Sequence, residues 1–268
     1  MTTTPSPARR AWLALPLVIS LLAAAGCNRT GAADASASQP SLAGNARNAG
    51  SYEIVTVTRP ESVDAYHALY RASYEICTST RELIKLPPAA PMKQPAPDFI
   101  EQRDTFVRDG DVFLHKRENF VMKLVSSDPK AGCDTRLEAS TEYQLYRDGK
   151  VISVGAGDEG RSEETHEWSN TNHYGADLTS NYTERKTIRG TAVRCQKLTV
   201  PGLDKLVQDI CIADGSPRAP TDVNDEPITV STRVVNPVMP SVVMITEPVS
   251  VKLGVPIDPK VFNLAGKN

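Results

Sequence analysis

Ile188-Arg-Gly-Thr-Ala-Val-Arg-Cys195-Gln-Lys-Leu-Thr-Val-Pro201-Gly202-Leu203-Asp204-Lys-Leu-Val-Gln-Asp-Ile-Cys211-Ile-Ala-Asp214 is the stretch on which the fold turns. Two β-prone runs flank Pro201-Gly202-Leu203-Asp204, where Pro presets φ and Gly supplies φ > 0. Folding about Leu203 sets Cys195 opposite Cys211. Directly opposed Cβ atoms of an antiparallel pair lie close enough for a disulfide. The stretch predicts a covalently pinned hairpin late in a β-rich domain.

Outward from it, the signals are mostly those of strands. Asp109-Gly110 and Asp148-Gly149 each sit between β-prone runs and suit type I′ turns, in which both central residues have positive φ. These turns would pair 105–107 with 112–115 and 143–146 with 151–154. Leu137, Ala139, Thr141, Tyr143 and Leu145 alternate with Glu138, Ser140, Glu142 and Gln144, a meander with one face buried. After the hairpin, 216–227 reads as a linker. The runs 228–235, 242–246 and 249–253, punctuated by prolines, read as short or edge strands. The closing segment would lay Val261, Phe262 and Leu264 back onto the core.

Before the meander, 51–58 predicts a first strand. Val63, Tyr66, Tyr70 and Tyr74 recur at helical spacing and predict an amphipathic helix over 63–77. Such a stripe is what any core-facing helix shows, although it would also serve as a ligand-facing row. Pro87, Pro88, Pro91, Pro95 and Pro97 then make a loop.

The N-terminus says where the chain goes. Arg9 and Arg10 precede an apolar run over 11–25 that ends in small residues and Cys27. This predicts a signal peptide over 1–26. Ala24-Ala25-Gly26-Cys27 resembles the bacterial lipobox, which implies an acylated Cys27 (palmitate among the acyl groups) and membrane attachment through that lipid. Asn28 in place of Asp implies the outer membrane, facing the periplasm. Residues 27–50 then form a lipidated flexible tether, poor in core-forming residues, and 51–268 form one β-rich periplasmic domain. Four further cysteines, an even number in an exported chain, suggest two disulfides with three connectivities. The hairpin selects Cys195–Cys211 and leaves Cys77–Cys133.

Ile188-Arg-Gly-Thr-Ala-Val-Arg-Cys-Gln-Lys-Leu, the strand ending Cys211-Ile-Ala-Asp, and Asp258-Pro-Lys-Val-Phe-Asn-Leu-Ala-Gly resemble late strands of envelope proteins related to the lipoprotein carriers LolA and LolB. They also resemble an uncharacterised lipoprotein family of the same design. The resemblance implies a mainly β (α+β) fold. In it a curved antiparallel sheet or half-barrel is covered by the N-terminal helix, with an apolar cavity between. The carriers' characteristic N-terminal segments are not recognisable here, so their transfer activity does not carry over.

Several functions lose support. The formal net charge is −2, with no basic tract, which leaves nucleic-acid binding without a basis. No Cys-x-x-Cys, His-x-x-x-His or cofactor motif occurs, so neither a metal nor a cofactor is expected. His166, Glu167, His173 and Asp177 fall in a polar stretch over 156–186 that reads as a solvated loop or outward strand face. His67 and His115 look isolated. No nucleophile–base pattern marks an enzyme. The favoured reading is a tethered module that binds an apolar or amphiphilic ligand between helix and sheet, with Tyr66, Tyr70, Tyr74, Tyr143 and Leu145 as candidate contacts. The alternative is an interaction lipoprotein whose sheet edge or polar loop meets another envelope protein.

Overall fold

A computed structural model describes residues 50–265, apart from 125–127, 158–159, 169–178, 180, 197–201, 203–205, 216, 221–224 and 238. The predicted signal peptide, Cys27, residues 28–49 of the predicted tether, His173 and Asp177 lie outside the described residues. The chain runs β1 (Tyr52–Pro60), α1 (Val63–Leu83), β2 (Gln102–Asp109), β3 (Val112–Leu124), β4 (Thr135–Arg147), β5 (Lys150–Gly157), β6 (Gly160–Glu167), β7 (Glu184–Ile188) and β8 (Thr191–Gln196). It continues through β9 (Val207–Ala213), β10 (Arg218–Pro220), β11 (Asp225–Pro227), β12 (Thr229–Val235) and β13 (Val243–Leu253), and closes with a 3-10 turn, Pro259–Phe262.

Among the described residues, eleven strands form one antiparallel sheet in the order β6-β5-β4-β3-β2-β1-β13-β12-β9-β8-β7; β10 and β11 form a separate pair. The sheet is open, with β6 and β7 at its two edges, and it is strongly curved. In a flat sheet β8 would lie about 14 Å from β13, three strand spacings away. Their Cα atoms approach within 8 Å, and Arg189, at the β7–β8 turn, pairs with Glu247 of β13 at 2.7 Å. The fold class predicted from sequence, a curved antiparallel sheet with an N-terminal helix, is the one observed.

Both faces of the sheet carry core where β2–β5 meet. On one face Val107, Leu114, Tyr143, Leu145 and Val154 pack with Phe262 and Leu264 of the closing segment. On the other, Phe113, Tyr146 and Val151 belong to the cluster of Tyr52, Ile54, Val193, Cys195, Cys211 and Val230. The one-sided meander is therefore corrected. Tyr146 is buried on the face opposite Leu145, whereas Leu137, on the expected inner row, is 53% exposed.

The turns follow local chemistry. Asp148 and Gly149 both have positive φ, 53° and 69°, and Tyr143↔Val154 to Tyr146↔Val151 is the register the sequence predicts. The first hairpin is shifted. Asp109 pairs with Val112, so the loop is Gly110-Asp111, and only Gly110 takes positive φ. Glycine at the first central position needs one left-handed residue instead of two, which spares Asp109 that conformation.

Ser62 caps α1, its side chain accepting from the Ala65 amide, and the helix runs to Leu83, beyond the predicted end. The two C-terminal runs read as separate strands are one continuous β13, placed centrally between β1 and β12. Pro248 is accommodated because the β1 register slips between Val55 and Thr56, the bulge a strand proline requires. The predicted linker over 216–227 contains the β10–β11 pair.

Candidate functional site

Both disulfides form. Cys195 and Cys211 are register partners with Cα atoms 4.0 Å apart, and Cys77–Cys133 joins α1 to the segment before β4.

The five candidate ligand contacts fall into two groups that the structure does not bring together. Tyr66 is buried with Phe99, Met122 and Val242. Its hydroxyl donates to Glu101 Oε1 at 3.2 Å and accepts from the Tyr70 hydroxyl at 3.4 Å. Tyr74 donates to the Ala90 carbonyl at 2.5 Å. Burial away from water raises the Tyr66 and Tyr70 hydroxyls, and it raises the Glu101 carboxyl above the usual range despite the Tyr66 hydrogen bond. These tyrosines bind the helix to its own loop and to the β2 entry. Tyr143 and Leu145 instead meet the closing segment.

That second contact forms a cleft. Leu145, Arg147, Ile152, Arg161 and Glu163 of β4–β6 line one side; Pro259, Phe262, Asn263, Leu264 and Ala265 line the other, around a volume of about 500 Å³. The size falls within the range of small-molecule sites. Alternation and register explain the lining. Leu145 pairs with Ile152, Ile152 with Thr165, and Val154 with Glu163, so these side chains share one face. Asp258 caps the 3-10 turn by accepting from the Lys260 amide, which turns Phe262 down onto the sheet. The floor is apolar and the rim charged, a surface suited to a molecule with an apolar chain and a polar head. A smaller cleft of about 210 Å³, among Lys186, Asp209, Arg233 and Glu247, is crossed by ion pairs such as Lys186–Asp209 at 2.8 Å.

Sequence reading missed one polar cluster. Asp104 is 6% exposed. Its Oδ1 accepts from His115 Nε2 at 2.7 Å and from Arg117 Nε at 3.1 Å, and Oδ2 accepts from Gln102. His115 stacks on Phe106 with ring centroids 4.5 Å apart. Burial alone would raise the Asp104 carboxyl; the hydrogen bonds and charges of His115, then Arg117, outweigh it and hold the carboxyl below its usual range. His115 is thus not isolated. Only the β2–β3 register reveals its partner, which lies eleven residues away. His67 lies buried on α1, with Nδ1 3.2 Å from Arg71. His166 and Glu167 are exposed on the edge strand β6. Among the described residues no three His, Cys, Asp or Glu side chains gather as metal ligands, and no helix is long and apolar enough to cross a membrane.

No family model, curated protein or solved structure matches this chain. The functional reading therefore rests on the geometry of the cleft and on the residues of the N-terminus.

Proposed function

We propose that the protein is an envelope lipoprotein, anchored by an acylated Cys27 in the outer membrane and facing the periplasm, whose β domain binds an amphiphilic ligand. The observation that carries this reading is the cleft between β4–β6 and the closing segment. Its floor of Leu145, Ile152, Phe262 and Leu264 offers apolar burial, and Arg147, Arg161 and Glu163 at the rim keep a head group wet. The place of binding is thus moved from the helix to the closing segment, while Leu145 keeps the role the sequence suggests. A lipid anchor would hold such a cleft beside a membrane surface, where amphiphiles concentrate.

The test is a titration of the full chain with fluorescent fatty-acyl and lysophospholipid probes, alongside mass spectrometry of lipid that copurifies. Saturable binding in the micromolar range is expected. Ile152→Trp, at a half-buried position on the floor, should obstruct it. No saturable binding together with no copurifying lipid would remove the reading. A second reading, contact with another envelope protein, is favoured by one observation: β6 is an outer strand with every residue exposed. A stoichiometric crosslinked partner lost when β6 is altered would support it.

A further inference from the structure

The cleft is electrostatically asymmetric along its length. Arg147 ends β4 and pairs with Lys150, whereas Arg161 pairs with Ala156, itself opposite Thr141. The two arginines therefore stand six residues apart along the strand direction, about 20 Å at the β rise. Their surroundings differ. At one end, Arg161 Nη2 donates to Glu163 at 3.0 Å and to the Leu264 carbonyl at 3.4 Å. The guanidinium there is occupied in holding the closing segment and in meeting a carboxylate.

At the other end, Lys150 lies directly across from Arg147 on the same face. Of the acids nearby, Glu167 approaches Lys150 only to 3.9 Å, and Asp148 occupies the turn itself without an ion pair to either cation among the described contacts. Two cations thus meet one loosely paired carboxylate and one turn carboxylate, all close to solvent. Between the two ends run Leu145, Ile152, Phe262 and Leu264, with no charged group projecting from them.

Resting on the amphiphile reading above, we infer that the ligand is a single-chain amphiphile with an anionic carboxylate or phosphate head. The head sits at the Arg147–Lys150 end, and the chain lies along Leu145 and Ile152 towards Leu264. A planar guanidinium beside an ammonium suits either oxyanion. The paired Arg161–Glu163 end offers no net charge to compete for the head. A cationic or zwitterionic head would face Arg147 and Lys150 unfavourably.

The experiment holds the chain constant and changes the head. The full chain in phosphatidylcholine nanodiscs is photolabelled with diazirine-bearing dodecanoate, dodecyl phosphate and dodecanol, and labelling is read by mass spectrometry on the peptides spanning 145–152 and 259–265. Both anionic probes should label these peptides at least tenfold more than dodecanol. Arg147→Ala should bring them down to the dodecanol level while leaving dodecanol labelling and the unfolding midpoint unchanged. Equal labelling by dodecanol, or indifference to Arg147→Ala, overturns the anionic head but leaves the amphiphile reading standing. Displacement of the probes by millimolar inorganic phosphate alone would show a plain anion site and overturn the chain contact. Absence of cleft labelling by every probe would overturn the amphiphile reading itself.

Discussion

The two disulfides invite a comparison whose outcome runs against simple chain statistics. Cys195–Cys211 closes a loop of sequence separation 16, and Cys77–Cys133 one of 56. Loop entropy alone assigns them about 3 and about 4 kcal/mol, so loss of the longer loop should be worse. The structure reverses the order. Cys195 and Cys211 lie at most 1% exposed in the main cluster, directly opposed on paired strands, and cannot separate without opening the sheet. Cys77 is the last buried residue of α1, and beyond it only exposed or half-buried side chains follow. Removing Cys77–Cys133 lets the C-terminal half of α1 loosen locally, so much of its effect escapes the global transition. The Cys195→Ser/Cys211→Ser variant should lose about 3 kcal/mol, a fall of about 6–12 °C for a domain of this size. The Cys77→Ser/Cys133→Ser variant should lose less, with faster amide exchange confined to residues 74–84. Thermal melts and hydrogen exchange on both variants decide it. A full 4 kcal/mol loss for the second with under 1 kcal/mol for the first would refute the reasoning.

Other outcomes follow from single sites. Asp104→Asn removes the negative charge that His115 and Arg117 share in a buried site and should cost about 3 kcal/mol, read by urea denaturation. The carboxyls of Asp104 and Glu101 should tilt the pH profile in opposite senses. Asp104, held low in the folded protein, contributes stability that is complete above its unfolded pKa and is lost as pH falls through its folded value. Glu101, held high, contributes stability that is complete below its unfolded pKa and is lost as pH rises through its folded value. Melts of Asp104→Asn and Glu101→Gln across the acidic range should therefore flatten opposite flanks, and flattening of the same flank would contradict the assignment. Gly149→Ala, at φ 69°, should lose about 1–2 kcal/mol, measured by thermal denaturation, because an L side chain strains that turn.

How far the sequence could be read depended on the range of each signal. The hairpin at 195–211 and the turn at Asp148-Gly149 depend on neighbours a few residues away, and each was legible. Pro248 misled because a proline normally ends a strand. Its tolerance inside β13 depends on a bulge at Val249, which exists only in the pairing with Val55 and Thr56 of β1, some two hundred residues distant, and no local pattern encodes that pairing. The Asp104–His115 pair was hidden for a related reason. A two-residue change in the register of the first hairpin decides who faces whom, and Gly110 allows either turn. Leu145 could be picked out as an inward residue, but its cover could not, because alternation states which face is apolar and not what lies upon it. Phe262 and Leu264 were expected to return to the core, yet nothing in their spacing says that they stop short of sealing it.

The pairing of β1 with β13 has a further consequence for the order of assembly. Tyr52 faces Leu253, so β1 leaves the ribosome about two hundred residues before its neighbour on that side. Strands β2 to β6 can meanwhile zip up by successive hairpins, and β7 to β9 can close around Cys195 and Cys211 independently. The two meanders then wait as separate pieces, each with an uncovered strand, until β12 and β13 bridge them. Such long-range closure is entropically costly and slow. A truncation that removes β13 would therefore leave two half-sheets with β1 as an exposed, apolar edge, a species prone to pair with its own kind.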